Sequence, residues 1–176
     1  MLESNKLDLF FGEIYLSLIK SLEKASGGPF GAGIVIEGEL ISVGTNEVLR
    51  TLDVSRHAEI VALSKATEKV KSIQLPNAII LATHFPCLMC YQAIKIASIK
   101  QGYYIFDSIE TNELFSFKRS SSFLADLDIS SKTLDMDQSL SFSKYRSPRI
   151  EELFYNTFLN SWNTKFRNLL PQYYIC

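Results

Sequence analysis

The continuous apolar run from Ala78 to Thr83 is the feature that most constrains how this chain can fold. Such a run indicates a strand buried on both faces, and that strand needs a layer of helices on each side of its sheet. Apolar residues recur at helical spacing in the flanking sequence. This pattern predicts helices over residues 5–25, 57–70, 86–99 and 148–168.

Three further strands are predicted from shorter apolar runs. Phe30–Ile36 and Leu40–Val43 are separated by a tight glycine-containing link and are expected to form a hairpin, and Gly102–Phe106 is expected to be another buried strand. The order is one helix, the hairpin, and then helices alternating with strands. It predicts an α/β sandwich built around a mixed sheet.

The length and composition predict a single domain over residues 1–176, because 47% hydrophobic residues can bury one full core. We expect a core over about 5–107, a serine-rich loop over about 116–147, and a C-terminal helix and tail over about 148–176. The serine-rich segment is interpreted as a surface loop with short helical pieces, or alternatively as a lid over a site.

The charge and the cysteine usage exclude several classes of protein. A net charge of −1 disfavours a chain built mainly to wrap nucleic acid, although a local basic patch at Lys144, Arg146 and Arg149 leaves RNA contact open. We predict no membrane span and no signal peptide, since no apolar stretch is long enough and the N-terminus lacks a basic leader. Two of the three cysteines lie in one CxxC rather than a disulfide framework, which favours a cytoplasmic protein.

Two short segments carry the candidate chemistry, His57-Ala58-Glu59 and the Cys87–Cys90 CxxC. Each opens a predicted helix that follows a strand, and the two strands are expected to be parallel, so both helix starts should lie at one edge of the sheet. One imidazole and two thiolates form a three-ligand zinc set that leaves the fourth tetrahedral position open. Glu59 would then accept a proton and deliver it again as a general acid and base.

Neither segment is specific alone. A CxxC can be a redox pair, and an HxE occurs by chance on many helices; a purely structural zinc site would usually present four protein ligands. His84, just before the CxxC, is interpreted as a strand-end side chain rather than a fourth ligand, because a fourth ligand would close the open position. Together, in this order and each at a helix start, the two segments predict a catalytic zinc site.

These residues resemble the cytidine-deaminase-like superfamily of zinc-dependent base and nucleoside deaminases. The likeness extends from about Gly27 to Phe106 and includes the Gly27–Ala32 stretch, Gly44-Thr45-Asn46, and the approach Asp53–Glu59. It implies a three-layer αβα sandwich around a five-stranded mixed sheet, one zinc per chain, and a homodimer. It also implies that the side chain of Asn46 binds the substrate base.

Within that superfamily the chain resembles bacterial guanine deaminases. Phe158 and Trp162 in the last helix, and Tyr173 and Tyr174 in a tail that would cap the partner's active site, are similar to that group. Glu110 falls where the group places a carboxylate that accepts hydrogen bonds from guanine. Two positions depart from the superfamily pattern and put the substrate in doubt: Phe85 stands where glutamate is usual, and Val54 stands where proline is common.

The resemblance implies hydrolysis of guanine to xanthine and ammonia, with the ring stacked on Phe30 and a backbone N–H near Ala58 or Cys87 stabilising developing charge. Phe30 could equally be a core residue. The alternatives are a tRNA adenosine deaminase, a cytosine or nucleoside deaminase, and a zinc-stabilised module that binds nucleobases without catalysis.

Overall fold

A five-stranded mixed sheet forms the centre of the protein. The computed structural model describes residues 2–115 and 140–169. The strands lie in the order β2-β1-β3-β4-β5, with β1 antiparallel to both its neighbours and β3, β4 and β5 parallel to one another. Their bounds are β1 Gly31–Ile36, β2 Glu39–Thr45, β3 Ala78–His84, β4 Gln101–Phe106 and β5 Ser141–Lys144. The predicted α/β fold around five mixed strands is confirmed.

Helices cover both faces of this sheet. Five have the bounds α1 Ser4–Glu23, α2 Val48–Thr51, α3 Ala58–Val70, α4 Leu88–Ile96 and α5 Ser108–Phe115. The last helix, α6, runs through Pro148–Ile150, a π-helical stretch Glu151–Phe158, and Leu159–Thr164, before a 3-10 turn at Phe166–Leu169. Within residues 2–115 and 140–169, no helix combines the length and apolar character that crossing a bilayer requires.

The two faces of the sheet have different cores. α1 and α6 bury a cluster rich in aromatic side chains, including Phe11, Phe154 and Trp162, each no more than 2% exposed. α3 and α4 bury a cluster of smaller residues, among them Ala62 and Ile94. Because small side chains fill this core, α3 and α4 can pack closely against the sheet.

The structure corrects the interpretation of residues 116–147 as a loop with short helical pieces. Ser141–Lys144 is the fifth strand, parallel to β4, and Tyr145 follows it into the aromatic core. The remainder of that segment, where a lid was considered, lies outside the described residues. α5 and α2 are further helices that the sequence pattern did not separate from loops.

The direction of the strands brings α3 and α4 to the same edge. β2 and β3 are both antiparallel to β1, so they run in the same direction although β1 lies between them. α3 follows β2 and α4 follows β3, and therefore both helices begin beyond the carboxyl ends of their strands. This is the shared edge that the sequence predicted.

Gly44 allows β2 to approach α3 backbone to backbone. A Cβ at this position would lie 2.2 Å from the carbonyl oxygen of Ala58 and 2.4 Å from the amide nitrogen of Ala62. Neither backbone atom can move without displacing the helix. The glycine therefore sets the distance between the strand and the first turn of α3.

A charged contact closes the loop between α2 and α3. The backbone N–H of Glu47 donates to the carbonyl of Arg56 at 3.0 Å, and the Arg56 guanidinium donates to the Glu47 carboxylate at 2.9 Å. Arg50 makes a second ion pair with the same carboxylate at 2.7 Å. Partial burial opposes ionisation of Glu47, but the hydrogen bond from Arg56 and the charge of Arg50 outweigh it and hold the pKa of this carboxyl below its ordinary value.

We expect Gly44→Ala to destabilise the protein by about 1–3 kcal/mol or more, because the new methyl group overlaps rigid backbone. Gly12→Ala is the matched control, since a Cβ there meets only the end of the Arg149 side chain at 3.6 Å. In the middle of α1 that change should stabilise the helix by roughly 0.5–1 kcal/mol. Urea unfolding measures both, and equal midpoints for the two variants would contradict the close approach.

We expect Glu47→Gln to lower the free energy of unfolding by about 1 kcal/mol at pH 7. Because the folded-state pKa is lowered, the ion pairs stabilise the protein above the ordinary glutamate pKa and lose this effect as pH falls through the lower folded value. The difference between variant and wild type should therefore begin to shrink as pH falls below the ordinary glutamate pKa of about 4.3, and vanish only below the lower folded-state pKa. Glu68→Gln, an exposed change on α3, is the control, and a difference that persists at low pH would exclude the ion pairs as its cause.

Candidate metal centre and pocket

Three potential metal-ligating atoms converge at the start of α3 and α4. His57 and Cys87 are the N-cap residues of these helices, and Cys90 lies in the first turn of α4. Nδ1 of His57 lies 3.6 Å from Sγ of Cys87 and 3.6 Å from Sγ of Cys90, and all three atoms lie within 4.8 Å of one another. The structure thus brings together the three predicted ligands.

These distances fit a tetrahedral zinc ion. Bond lengths of about 2.1 Å to nitrogen and about 2.3 Å to sulfur, at tetrahedral angles, separate the two ligand atoms by about 3.6 Å. Among the described residues the cluster has three members, so the donor set matches a site with one position for an exogenous ligand. One imidazole and two sulfurs therefore form a suitable zinc site.

The two thiols differ in their ionisation. The hydrogen bond from Cys90 and the neighbouring His57 lower the pKa of Cys87 to about 4, against the opposing effect of burial. The same contact with Cys87, together with burial, raises the pKa of Cys90. One thiol is thus ready as a thiolate, and the second would release its proton when a cation binds.

Glu59 lies in the same pocket as these ligands. Its residue is 8% exposed, and it lines the pocket with His57 and Cys87. Burial raises the pKa of Glu59 to about 7, in part offset by hydrogen bonds to a backbone group and to the Cys90 thiol. The structure places this carboxyl beside the candidate metal centre, as predicted.

Aromatic rings form much of the pocket wall. Phe30 and His84 lie with ring centroids 4.7 Å apart, and the ring of Phe85 packs edge-on against Tyr104 at 5.1 Å. Within residues 2–115 and 140–169, the lining comprises Phe30, His57, Glu59, His84, Phe85, Cys87, Ser108 and Thr111. Phe30 therefore lines the pocket, and its predicted stacking against a base stays a prediction. A flat, mostly apolar wall suits a flat ring.

Asn46 and Ala58 are buried close to this pocket but are not among its lining residues. The Asn46 side chain is fully buried, and its Oδ1 accepts a hydrogen bond from the amide of Val48 at 3.2 Å. Gly27 packs so closely on Asn46 that a Cβ there would meet Oδ1 at 2.2 Å. Ala58 is the first residue of α3 and is 0% exposed. The predicted contacts of both residues with a base stay predictions.

Glu110 does not lie in the pocket lining. Its carboxylate pairs with Lys144 at 2.7 Å and Arg146 at 2.8 Å, and it accepts a hydrogen bond from the Tyr155 hydroxyl at 3.2 Å. The arrangement gives no support to the predicted contact between Glu110 and the base. It also neutralises two members of the predicted basic cluster, since Lys144 pairs with Asp107 as well. Tyr173 and Tyr174, the predicted capping residues, lie outside the described residues.

Sequence reasoning did not include three of the pocket residues. Ser108 and Thr111 belong to α5, which no pattern separated from a loop, and His84 had been interpreted only as a strand end. A signal existed for His84, because it is a polar residue at the end of an apolar run and lies three residues before Cys87. Its contacts could not be predicted without the pairing of β3 with its neighbours.

Comparison with known proteins identifies two kinds of relative. A guanine deaminase of Bacillus subtilis is 38% identical over 87 residues, which cover 49% of this chain and 56% of that protein. A tRNA-specific adenosine deaminase of Buchnera aphidicola is 34% identical over 100 residues, which cover 57% of this chain and 66% of that protein. The chain thus spans less than two thirds of the length of either relative.

A solved structure supports the same relationship. The X-ray structure of the guanine deaminase from Bacillus subtilis matches this chain with a TM-score of 0.60 at 26% identity, covering 84% of this chain and 90% of that one. Residues 6–106 match the family described as the cytidine and deoxycytidylate deaminase zinc-binding region. This match covers more than half of the chain and includes all three metal ligands and Glu59, and the chain therefore belongs to that family.

Proposed function

We propose that this protein is a zinc-dependent hydrolase that removes the exocyclic amine of a nucleobase, with guanine as the leading substrate. The observation that carries the proposal is the single pocket in which Glu59 lies beside the imidazole and two sulfurs of a three-ligand zinc set. A binding module has no need of a buried carboxyl at that place. Hydrolysis has such a need, because protons must be moved between water and the leaving amine.

The reaction is balanced without any redox partner. Guanine and water give xanthine and ammonia: the bond from C2 to the exocyclic nitrogen breaks, and a bond from C2 to the water oxygen forms. His57, Cys87 and Cys90 would hold a zinc ion, which would supply the Lewis acidity that makes water a competent nucleophile near neutral pH. Glu59 would take one proton from that water and deliver it to the amine as it leaves, and the second water proton ends on N3 of the ring, where xanthine carries N–H.

The other pocket residues would bind and orient the base. The ring of Phe30, which lines the pocket, would stack on the base, as the resemblance implies. We assign Asn46 to hydrogen bonding with the base, as the resemblance implies, and a backbone N–H near Ala58 or Cys87 to stabilising the charge that develops during the reaction. The burial of Asn46 and Ala58 is compatible with fixed, preorganised donors.

Guanine is favoured over an adenosine in tRNA by two features of this chain. The Gly27–Ala32 stretch resembles guanine deaminases, and Lys144 and Arg146 are paired with carboxylates instead of being free for phosphates. The tRNA-specific adenosine deaminases match at similar identity, and they are the second candidate. Strong salt dependence of activity would favour that candidate, since phosphate contacts weaken steeply with salt.

We also expect a homodimer, with the tail that contains Tyr173 and Tyr174 near the neighbouring pocket. The expectation rests on the family resemblance. A cytoplasmic location likewise stays a prediction.

We expect the purified protein to contain one zinc ion per chain, and Cys87→Ser or Cys90→Ser to reduce this to less than about a tenth, because a hard hydroxyl replaces a thiolate ligand. Cys176→Ser, which removes the chain's third thiol, is the matched control and should retain full zinc. Elemental analysis after dialysis against a weak chelator measures the content. Retention of zinc by both motif variants would exclude this ligand set.

We expect Glu59→Gln to retain zinc and fold normally while ammonia release falls by about 100-fold or more, because the isosteric amide cannot carry the proton. Glu68→Gln, the same substitution farther along α3, should release ammonia at the wild-type rate. The assay covers guanine, adenine, cytosine, their nucleosides and tRNA, at low and high salt. Wild-type rates in Glu59→Gln, or no ammonia from any of these compounds with the zinc-loaded protein, would refute the proposed function.

A further inference from the structure

His84 is a buried polar residue in the pocket wall that the mechanism above does not use. It is the last residue of β3 and is 5% exposed, and it lines the pocket with Phe30 and Glu59. Aromatic rings surround it: the centroid of its imidazole lies 4.7 Å from Phe30, 5.0 Å from Phe106 and 4.8 Å from Phe115. Burial lowers the pKa of His84 to about 3, so the imidazole is neutral under ordinary conditions.

The hydrogen bonds of Thr83 favour one tautomer of His84. The Thr83 hydroxyl oxygen accepts a hydrogen bond from the backbone N–H of Gly31 at 3.0 Å, and it lies 2.9 Å from Nδ1 of His84. The hydroxyl proton also needs an acceptor, and Nδ1 is within reach, so we assign a hydrogen bond from the hydroxyl to Nδ1. In this tautomer the neutral ring carries its own proton on Nε2, which makes Nε2–H a donor.

That donor is left without a partner in the protein. Nε2 is buried, and within the described ranges no atom forms a hydrogen bond with it. A buried unpaired donor costs free energy, and such groups are usually satisfied by a ligand or an ordered water. The rings around it are at best weak acceptors. Because His84 lines the pocket, a ligand that enters the pocket is the candidate for a stronger acceptor.

We propose that His84 is a specificity-determining residue, whose Nε2–H donates a hydrogen bond to an acceptor on the heterocyclic ring of the substrate. The acceptor is a carbonyl oxygen or an imine-type ring nitrogen, which nucleobases carry at their edges. The substrate class in this inference rests on the proposed function. His84 selects for the acceptor, whereas Glu59 and the metal ligands act on the amine.

The test compares the loss of the donor with the loss of each acceptor. All binding is measured by calorimetry on zinc-loaded protein with Glu59→Gln, in which turnover is expected to be about 100-fold or more slower. The donor is removed by His84→Phe, which keeps a flat ring, and partly restored by His84→Gln, whose amide also donates. The probes are guanine and three analogues that keep the amine at C2. 2-Aminopurine lacks O6, 3-deazaguanine lacks N3, and 7-deazaguanine lacks N7.

We expect His84→Phe to weaken guanine binding by about 10- to 100-fold, as one hydrogen bond to a buried donor is lost. One of the three analogues should bind the zinc-loaded Glu59→Gln protein more weakly than guanine does, by a similar factor. The affinity for that analogue should not fall further when His84→Phe is added, and the atom that the analogue lacks is then the acceptor. His84→Gln should recover part of the affinity. A long-range nitrogen–proton NMR correlation should show the proton on Nε2, and this readout is independent of activity and of whether His84→Phe folds.

Several results would overturn the inference. One such result is that guanine binds equally well with and without His84→Phe. Another is that His84→Phe weakens the binding of guanine and of every analogue by the same factor. The absence of binding by any probe, or a neutral His84 ring protonated on Nδ1, would also overturn it.

The proposed function fails separately. If His84→Phe and the loss of one acceptor are coupled in binding but the wild type releases no ammonia, His84 is a binding residue of a non-catalytic site. Ammonia release without coupling leaves the enzyme and removes the role of His84.

Discussion

The backbone contact between β2 and α3 at Gly44 sets the position of the helix that begins at His57, the first ligand of the candidate metal centre. Because no side chain separates the strand from the helix, the first turn of α3 lies directly on the sheet edge. That position brings Nδ1 of His57 to 3.6 Å from each of two sulfurs that belong to a different helix. Both helices present their N-termini to this point, and their dipoles favour the thiolate forms that bind a cation. The ligands are thus held by the fold and not by flexible loops.

Much of this arrangement could be predicted from the sequence, since the strongest signals were local and periodic. The buried run at Ala78–Thr83 predicted β3, and the spacing of His57, Glu59 and the CxxC predicted the convergence of ligands. β5 could not be predicted, because Ser141–Lys144 is a short edge strand with mostly exposed side chains. Its stability comes from pairing with β4, which is a long-range contact that no local pattern records.

The surroundings of the metal centre were less predictable than the ligands. Glu110 was expected to contact the base by its position in the chain, yet Lys144 and Arg146 hold it in an ion-pair network on β5 and the residues that follow it. A residue near a motif can be given a role by family resemblance only where no insertion and no change in strand pairing separates it from the motif. His84 shows the converse, because its significance depends on a hydroxyl of Thr83 that is itself fixed by the pairing of β1 with β3.

Phe85 connects the pocket wall to the far part of the chain. The centroid of its ring lies 5.1 Å from that of Tyr104 on β4 and 5.5 Å from that of Phe142 on β5, and Phe85 lies two residues before Cys87. The edge strand β5 therefore supports one side of the pocket through ring packing. Substitutions around β5 can reshape the cavity while every metal ligand stays in place, so selectivity in such a protein can diverge independently of its reaction chemistry.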